Sequence, residues 1–137
     1  MKNSILVLLV FFCGSFILNA QNSIEVEISN FASDSGVAQI GLFNTESSFL
    51  DKVYKGKAVK IKDRKAVATF TNIPDGTYAI SVFHDKNKDE KLNTFLGIPT
   101  ENYAASNNAP SKFGPPKWKD AKFEVRNGEL VKQRISL

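Results

Sequence analysis

The residues best suited to chemistry lie together in the stretch "SVFHDKNKDEKLN", residues 81–93, where an alternating apolar run meets the chain's only histidine. Asp and Asn then recur at every second position, as they do at positions one, three and five of calcium-binding loops. Such loops bind the ion through side-chain oxygens and one backbone carbonyl. The ligands of this candidate calcium site would be Asp85, Asn87, Asp89, Lys91 and Asn93.

Two features of the same stretch weaken the calcium interpretation. Position six of the loop is Glu90, where calcium loops favour Gly, and position twelve is Leu96, where a helix-loop-helix site has Glu. The three acids of residues 85–90 are also balanced by nearby lysines, which leaves little net attraction for a divalent cation. Glu101 or Asn107 could fold back to complete a calcium shell. The alternative, which we favour, is a tight turn whose Asp and Asn side chains accept hydrogen bonds from backbone amides.

His84 invites a catalytic interpretation, with Asp85 orienting its ring and Ser81 or Ser106 as nucleophile. However, adjacent residues of a strand point to opposite faces, so the side chains of His84 and Asp85 do not meet easily. The sequence has no Gly-x-Ser-x-Gly motif and no second histidine for a zinc cluster. We therefore expect a non-enzymatic protein in which His84 is hydrogen-bonded beneath the segment that follows.

The elements that would position these residues are strands, because apolar and polar residues alternate over most of the chain. Seven strands predict an all-β fold, an antiparallel immunoglobulin-like or transthyretin-like β-sandwich. The first two strands should form a hairpin, and Asn127-Gly128 should turn a second hairpin. A short helical turn near 45–50 would tuck Phe49 and Leu50 under the sandwich. The predicted strands are 24–29, 37–44, 57–62, 66–73, 76–85 and the two runs on either side of Asn127-Gly128.

Residues 86–118 form one long connection with four of the five prolines and no clear strand. Its apolar and aromatic residues predict an ordered loop packed over one end or edge of the sandwich, since disordered segments have few aromatics. Phe113 and Trp118 would form a stacking platform if exposed and a hydrophobic clamp if buried, and we favour the clamp. The candidate binding surface at this loop comprises His84, Glu101, Tyr103, Asn107, Asn108, Phe113 and Trp118. A glycan, a peptide or another envelope component would be its partner.

The basic segment 52–65 holds seven Lys or Arg residues and a single acid. It could present a cationic stripe to anionic glycans or lipid head groups. The favoured alternative is an exposed edge strand whose lysines prevent pairing with the sheets of other molecules.

The N-terminal residues 1–20 have the parts of a signal peptide, with Lys2, an apolar run from Ile5 to Leu18, and Ala20 before the expected cleavage. We expect Cys13 to be discarded with them. The mature chain, residues 21–137, would then be one cysteine-free domain with 17 basic and 14 acidic residues, a net charge of +3. We expect a periplasmic or extracellular protein that binds no nucleic acid and has no transmembrane segment.

The stretch "FTNIPDGTYAISV", residues 70–82, resembles a motif of transthyretin-like and carboxypeptidase regulatory-like β-sandwiches. Together with "GLFNTESSFL", "GIPTENYAASNNA" and "FGPPKWKDAKFEV", it is similar, over nearly the whole mature chain, to the bacterial domain-of-unknown-function family 2141. This resemblance implies an exported β-sandwich without an assigned activity, and a Gly near position 90.

These observations together predict a non-catalytic binding or accessory module of the bacterial envelope that uses the face formed by residues 84–118. The alternative is a calcium-stabilised structural domain, and the third hypothesis is a hydrolase that uses His84.

Overall fold

The computed structural model describes residues 21–137, and the predicted signal peptide with Cys13 lies outside this range. Within this range the chain forms ten strands, one four-residue helix, α1, at Trp118–Ala121, and a short 3₁₀ helix at Ser106–Asn108. The strands are β1 Asn22–Ser29, β2 Val37–Phe43, β3 Lys55–Lys60, β4 Ala66–Ile73, β5 Gly76–Asp85, β6 Thr94–Phe95, β7 Ile98–Pro99, β8 Tyr103–Ala105, β9 Phe123–Val125 and β10 Leu130–Ser136.

The strands form two main sheets and a small hairpin. The first sheet has the order β10-β1-β4, and the second has the order β3-β2-β5-β8 with β9 also paired to β5. The small hairpin joins β6 and β7. This arrangement confirms the predicted all-β sandwich and places β5 in the middle of the second sheet. None of the helices described in residues 21–137 is long and apolar enough to cross a membrane.

The core lies between the two main sheets and is built by alternation along each strand. In β1, Ile24, Val26 and Ile28 are buried, while the residues between them are partly exposed. Each buried Ile or Val stabilises the fold by about 1.5–3 kcal/mol relative to an exposed one. Tyr78 of β5 joins this core, and its hydroxyl donates to the carbonyl of Pro74 at 2.7 Å. Burial raises the pKa of the Tyr78 hydroxyl, and the nearby Tyr54 and Asp75 raise it further.

The predicted hairpin between the first two strands is wrong. β1 pairs with β4 and β10, whereas β2 pairs with β3 and β5 in the other sheet. The connecting residues 30–36 cross from one sheet to the other and bury Phe31 completely in the core. A tight hairpin would leave the Phe31 ring in solvent, so burial of this ring favours the crossing.

The second predicted hairpin is also wrong, although its turn forms. Asn127 and Gly128 adopt left-handed conformations with φ of 60° and 67°, but β9 pairs with β5 and β10 pairs with β1. The start of β1 binds the chain just after the turn, because Asn22 Oδ1 accepts from the amide of Glu129 at 3.0 Å. The β1–β10 pair is parallel, a local departure from the antiparallel plan.

Segment 45–50 folds into consecutive turns, and a helix-type hydrogen bond extends past its end, from the Lys52 amide to the Ser48 carbonyl at 2.9 Å. As expected, Phe49 packs inward, with its ring 5.3 Å from that of Phe43. Leu50 was expected to be buried as well, but it has a left-handed backbone and points into solvent.

β3 is an edge strand, as the composition of the basic segment predicts. Every basic residue of segment 52–65 except Lys55 is exposed. Lys57 extends toward the other sheet, with its ammonium 5.6 Å from the centre of the Phe70 ring. These lysines solvate the open edge of the second sheet.

Candidate functional site

His84 lies at the end of β5 and faces the core, where it is fully buried. Its Nε2 is 2.7 Å from the carbonyl oxygen of Ser35, and the Phe31 ring meets the imidazole edge to face at 5.3 Å. The Nδ1 atom is buried and has no hydrogen-bond partner within residues 21–137. His84 is thus a buried structural residue, although its ring bonds to the β1–β2 connection rather than to the long loop. Only its backbone amide bonds the long loop, at the carbonyl of Asn102.

Asp85 points to the opposite face of β5 and is also fully buried. Its Oδ1 accepts from the amide of Asp89 at 3.1 Å, and its Oδ2 accepts from the amide of Glu90 at 2.9 Å. Gln39 of β2 donates a further hydrogen bond to Oδ2 at 3.2 Å. The Asp85 carboxylate therefore stabilises a tight turn, as the favoured interpretation of this stretch predicts.

The other oxygens of the candidate calcium site are also bonded within the turn. Asn87 Oδ1 accepts from the amide of Asp89, and the Asp89 carboxylate accepts from Asn87 Nδ2 and from the amide of Lys91, both at 3.0 Å. The bond from the Lys91 amide lowers the pKa of Asp89, with smaller contributions from the side chains of Asn87 and Asn93 and the charge of Lys91. Across residues 21–137, no group of three or more His, Cys, Asp or Glu side chains is arranged to hold a metal ion.

The backbone of this turn explains why a glycine is expected at position 90. Glu90 has a φ of 64°, and Lys88 has a φ of 58°. Both values lie in the left-handed region, which glycine adopts without the steric penalty of a Cβ. The two amide bonds to Asp85 hold Glu90 in this conformation.

Glu101 closes the turn from the other side. It is buried, and its two carboxylate oxygens accept from the amides of Lys86 and Asn93, each at 3.1 Å. Because these amides flank the turn, one carboxylate clamps both ends of it. Glu101 is therefore a structural residue instead of part of an open binding surface. The Oδ1 of Asn93 is buried beside this clamp and accepts no hydrogen bond from any residue described.

Asn107 and Asn108 are exposed, but their side chains fasten the long loop to neighbouring segments. Asn107 Nδ2 donates to the carbonyls of Asp120 and Lys122 at 3.2 and 2.9 Å. Asn108 Oδ1 accepts from the amide of Ser136 at 2.9 Å. Both were predicted as binding-surface residues, and the structure gives their amide groups internal partners.

The two aromatic residues of "FGPPKWK" have different environments. Trp118 is half-buried in a small second core on the outer face of the second sheet, with its ring 5.7 Å from that of Phe49. Phe113 is fully exposed. The predicted clamp is thus confirmed for Trp118 and wrong for Phe113, and the two rings do not form a joint platform.

The residues proposed for hydrolysis are not brought together. His84 faces the core, Asp85 faces the long loop, and Ser81 lies on the same outer face as Asp85. Ser106 is buried, and its hydroxyl is engaged by the backbone of Ile80 and Ala121. The described chain contains no His–Asp–Ser arrangement at these positions.

A groove of about 820 Å³ lies between the outer face of the second sheet and the long loop. Phe43, Ser81 and Phe83 form its floor, and Tyr103 of β8 lines one side. Its rim consists of three segments, residues 50–53, 90–99 and 111–116. Of the binding-surface residues predicted from sequence, Tyr103 is the one that lines this groove.

Exposed apolar side chains are concentrated at the same groove. Leu50, Val53 and Ile98 line it, Leu96 and Phe113 are chain neighbours of residues that do, and Phe95 pairs with Ile98 in the β6–β7 hairpin. The described chain exposes nine large apolar residues, and these six are two thirds of them. Exposed apolar surface is therefore concentrated on the face that carries the groove. The loop aromatics were predicted to be anchors, and the exposed rim was not predicted, because the loop lacks a period that separates inward from outward positions.

Comparisons with known proteins identify a family without indicating an activity. No curated protein and no solved structure matches the chain, so the resemblance to transthyretin-like domains stays a prediction. Residues 26–133, most of the chain, match a family described as "Uncharacterized protein conserved in bacteria (DUF2141)". The chain belongs to this family.

Proposed function

We propose that the protein is an exported, non-catalytic binding module whose groove holds an apolar ligand. The observation that carries this proposal is the groove of about 820 Å³, which lies within the size range of small-molecule sites. Its floor combines the rings of Phe43 and Phe83 with the single hydroxyl of Ser81. Such a surface recognises an apolar body by burial, and one polar group of the ligand can bond the hydroxyl.

The non-catalytic part of the proposal is supported by the roles of the polar residues around the groove. Asp85 and Glu101 are buried and bonded to backbone amides, and His84 is bonded on the opposite side of the sheet. The two carboxylates therefore hold the long loop in place, and His84 bonds the β1–β2 connection. The module's binding surface is correspondingly apolar.

The exported part of the proposal is supported by the sequence of residues 1–20, which has the charge, apolar run and small residue of a signal peptide. A periplasmic or extracellular protein would encounter apolar molecules and surfaces of the envelope. An envelope component is accordingly the class of ligand that we propose.

We expect the mature protein to bind the fluorescent apolar probe N-phenyl-1-naphthylamine and Ser81→Phe to weaken this binding at least about tenfold. A phenyl ring on the groove floor would occupy the space of the probe, and a tenfold loss corresponds to about 1.4 kcal/mol. The matched control is Thr71→Phe, which adds the same ring to an exposed position of β4. Thermal melts first establish that both variants fold, and fluorescence titration then measures the probe affinity of each. Equal probe affinity in Ser81→Phe and the parent protein would contradict the proposal.

The second candidate function is a calcium-stabilised domain, and the buried, unbonded Oδ1 of Asn93 is the observation in its favour. The turn's carboxylates already accept amide hydrogen bonds, so we expect calcium and chelator to give the same melting temperature. A ligand at a hundred times its dissociation constant adds about 2.7 kcal/mol to the free energy of unfolding. A rise of several degrees with calcium, lost in Asp89→Asn, would favour the calcium function instead.

A further inference from the structure

We propose that the rim of the groove docks onto an anionic lipid surface, with the β6–β7 hairpin and Phe113 inserted among the lipid head groups. The observation behind this inference is the exposure of the apolar side chains at that rim. Leu96 is 87% exposed at the hairpin tip, its neighbours Phe95 and Ile98 are about equally open at 70% and 69%, and Phe113 is fully exposed. This inference goes beyond the proposed function, because the rim can dock whether or not the groove holds a ligand.

The hairpin can enter an apolar environment without leaving its backbone unbonded. Phe95 pairs with Ile98 across a two-residue turn, Leu96-Gly97, whose φ values of 49° and 78° suit a tight hairpin turn. At its base, the amide of Thr100 donates to the carbonyl of Asn93 at 2.8 Å. Because these polar groups bond each other, burying the apolar side chains carries a smaller desolvation cost.

The hairpin is also held away from the core, so its side chains cannot escape water by collapsing. Glu101 fixes the amide of Asn93 at the hairpin base and is itself buried. Gly97 has no atom within 4 Å of the position that a Cβ would take. The tip thus projects into solvent from a fixed base, which is the geometry of an insertion element.

Lysines interspersed with these apolar residues favour an anionic bilayer over a protein partner. Lys52 stands between Leu50 and Val53, and Lys112 precedes Phe113. A second depression, of about 630 Å³, adjoins the same segment and adds Lys117 and Lys119 to this side. The centres of protein–protein interfaces are depleted of lysine, whereas surfaces that lie in lipid head groups combine Phe and Leu with lysine. Lysine stems can lie along acyl chains while their ammonium groups contact phosphates.

The acidic residues near the rim do not cancel this charge. Asp51 and Glu90 line the groove, and Asp120 lines the second depression together with three lysines. Over the three rim segments and the lining of the second depression, five lysines (Lys52, Lys91, Lys112, Lys117 and Lys119) stand against these three acidic side chains. An anionic surface is therefore attracted to this face at low salt.

The test is sedimentation of the mature protein with vesicles of phosphatidylcholine, alone or mixed with phosphatidylglycerol. We expect binding to the mixed vesicles that weakens with salt and in pure phosphatidylcholine. The variant Phe95→Ser/Leu96→Ser should lower the partition coefficient at least about tenfold, since each buried apolar side chain contributes about that factor or more. The matched control, Val67→Ser/Leu130→Ser, removes two exposed apolar side chains from the first sheet and should bind as the parent does.

Absence of vesicle binding by the parent protein would overturn the inference, as would an equal loss in the Val67→Ser/Leu130→Ser control. Ser81→Phe separates this inference from the proposed function. This variant should retain vesicle binding and lose binding of the naphthylamine probe. Either proposal, the apolar ligand in the groove or the lipid contact of the rim, can therefore be contradicted without the other.

Discussion

Gly36→Ala is expected to lower the free energy of unfolding by about 3 kcal/mol or more, which for a domain of this size is a fall of about 10 °C in the melting temperature. A Cβ at Gly36 would lie 2.1 Å from the carbonyl oxygen of Asp85 and 2.7 Å from the Cα of Lys86. These are backbone atoms at the end of β5, so a side-chain rotation cannot relieve the clash. Gly36 also has a φ of 75°, a conformation that alanine adopts at a cost of about 1–2 kcal/mol.

Gly97→Ala provides the matched control for this prediction. Gly97 has nearly the same conformation, with a φ of 78°, but no atom lies within 4 Å of its would-be Cβ. Its substitution should cost only the conformational part, about 1 kcal/mol. Thermal or urea unfolding of the two variants isolates the effect of the close approach between residues 36 and 85. Equal losses would show that the contact at Gly36 is unimportant.

Asp85→Ala should lower the free energy of unfolding by about 3 kcal/mol. It removes the acceptor of three donors, the amides of Asp89 and Glu90 and the side-chain amide of Gln39. Each buried donor left without a partner costs about 1–3 kcal/mol, less where water can reach it. Asp85→Asn keeps the shape but turns one acceptor into a donor that faces these amides, so it should be destabilising as well. Urea unfolding measures the loss, and faster hydrogen exchange at the amides of residues 89 and 90 would locate it.

The control for Asp85 is Asp89→Ala in the same turn. The Asp89 carboxylate is exposed and accepts from Asn87 and from the Lys91 amide. Water can replace it as an acceptor, so the loss should be small, below about 1 kcal/mol. A loss as large as that of Asp85→Ala would mean that the turn depends on its exposed side chains rather than on the buried carboxylate.

Much of the fold could be predicted from the sequence because each main strand has one or two buried faces. The alternation of apolar and polar residues predicted β1, and apolar residues on both faces predicted that β5 is a central strand. The break between β4 and β5 at Pro74-Asp75 was also predictable, since proline and aspartate favour turns. These features are local, and the sequence encodes them within a few residues.

Strand pairing was not predictable in the same way. The Asn127-Gly128 turn forms as its residue types require, but a turn does not specify which strand the following residues join. That choice depends on distant groups such as Asn22, which binds the amide of Glu129 and the carbonyl of Ile73. A pattern within a few neighbouring residues cannot predict a contact between residues more than one hundred positions apart.

The candidate site was predicted in part. The sequence indicated Asp85 and its turn, because Asp and Asn after a strand commonly bond backbone amides. It indicated Glu101 only as a further calcium ligand, and not as a clamp on two backbone amides that lie 15 and 8 residues away. Nor did it separate the exposed Phe113 from the half-buried Trp118, since an irregular loop has no period to assign side chains to a face.

The parallel pairing of β1 with β10 has a consequence for the order of folding. Glu27 and Arg134, which bond across this pair, are 107 residues apart in sequence. β1 is the middle strand of the first sheet, so that sheet stays incomplete until almost the whole chain is available. Contacts of such long sequence separation slow folding, because the entropy of closing a long loop must be lost before they form. A chain emerging from the ribosome would therefore be unable to complete its first sheet until almost all of its residues had been synthesised.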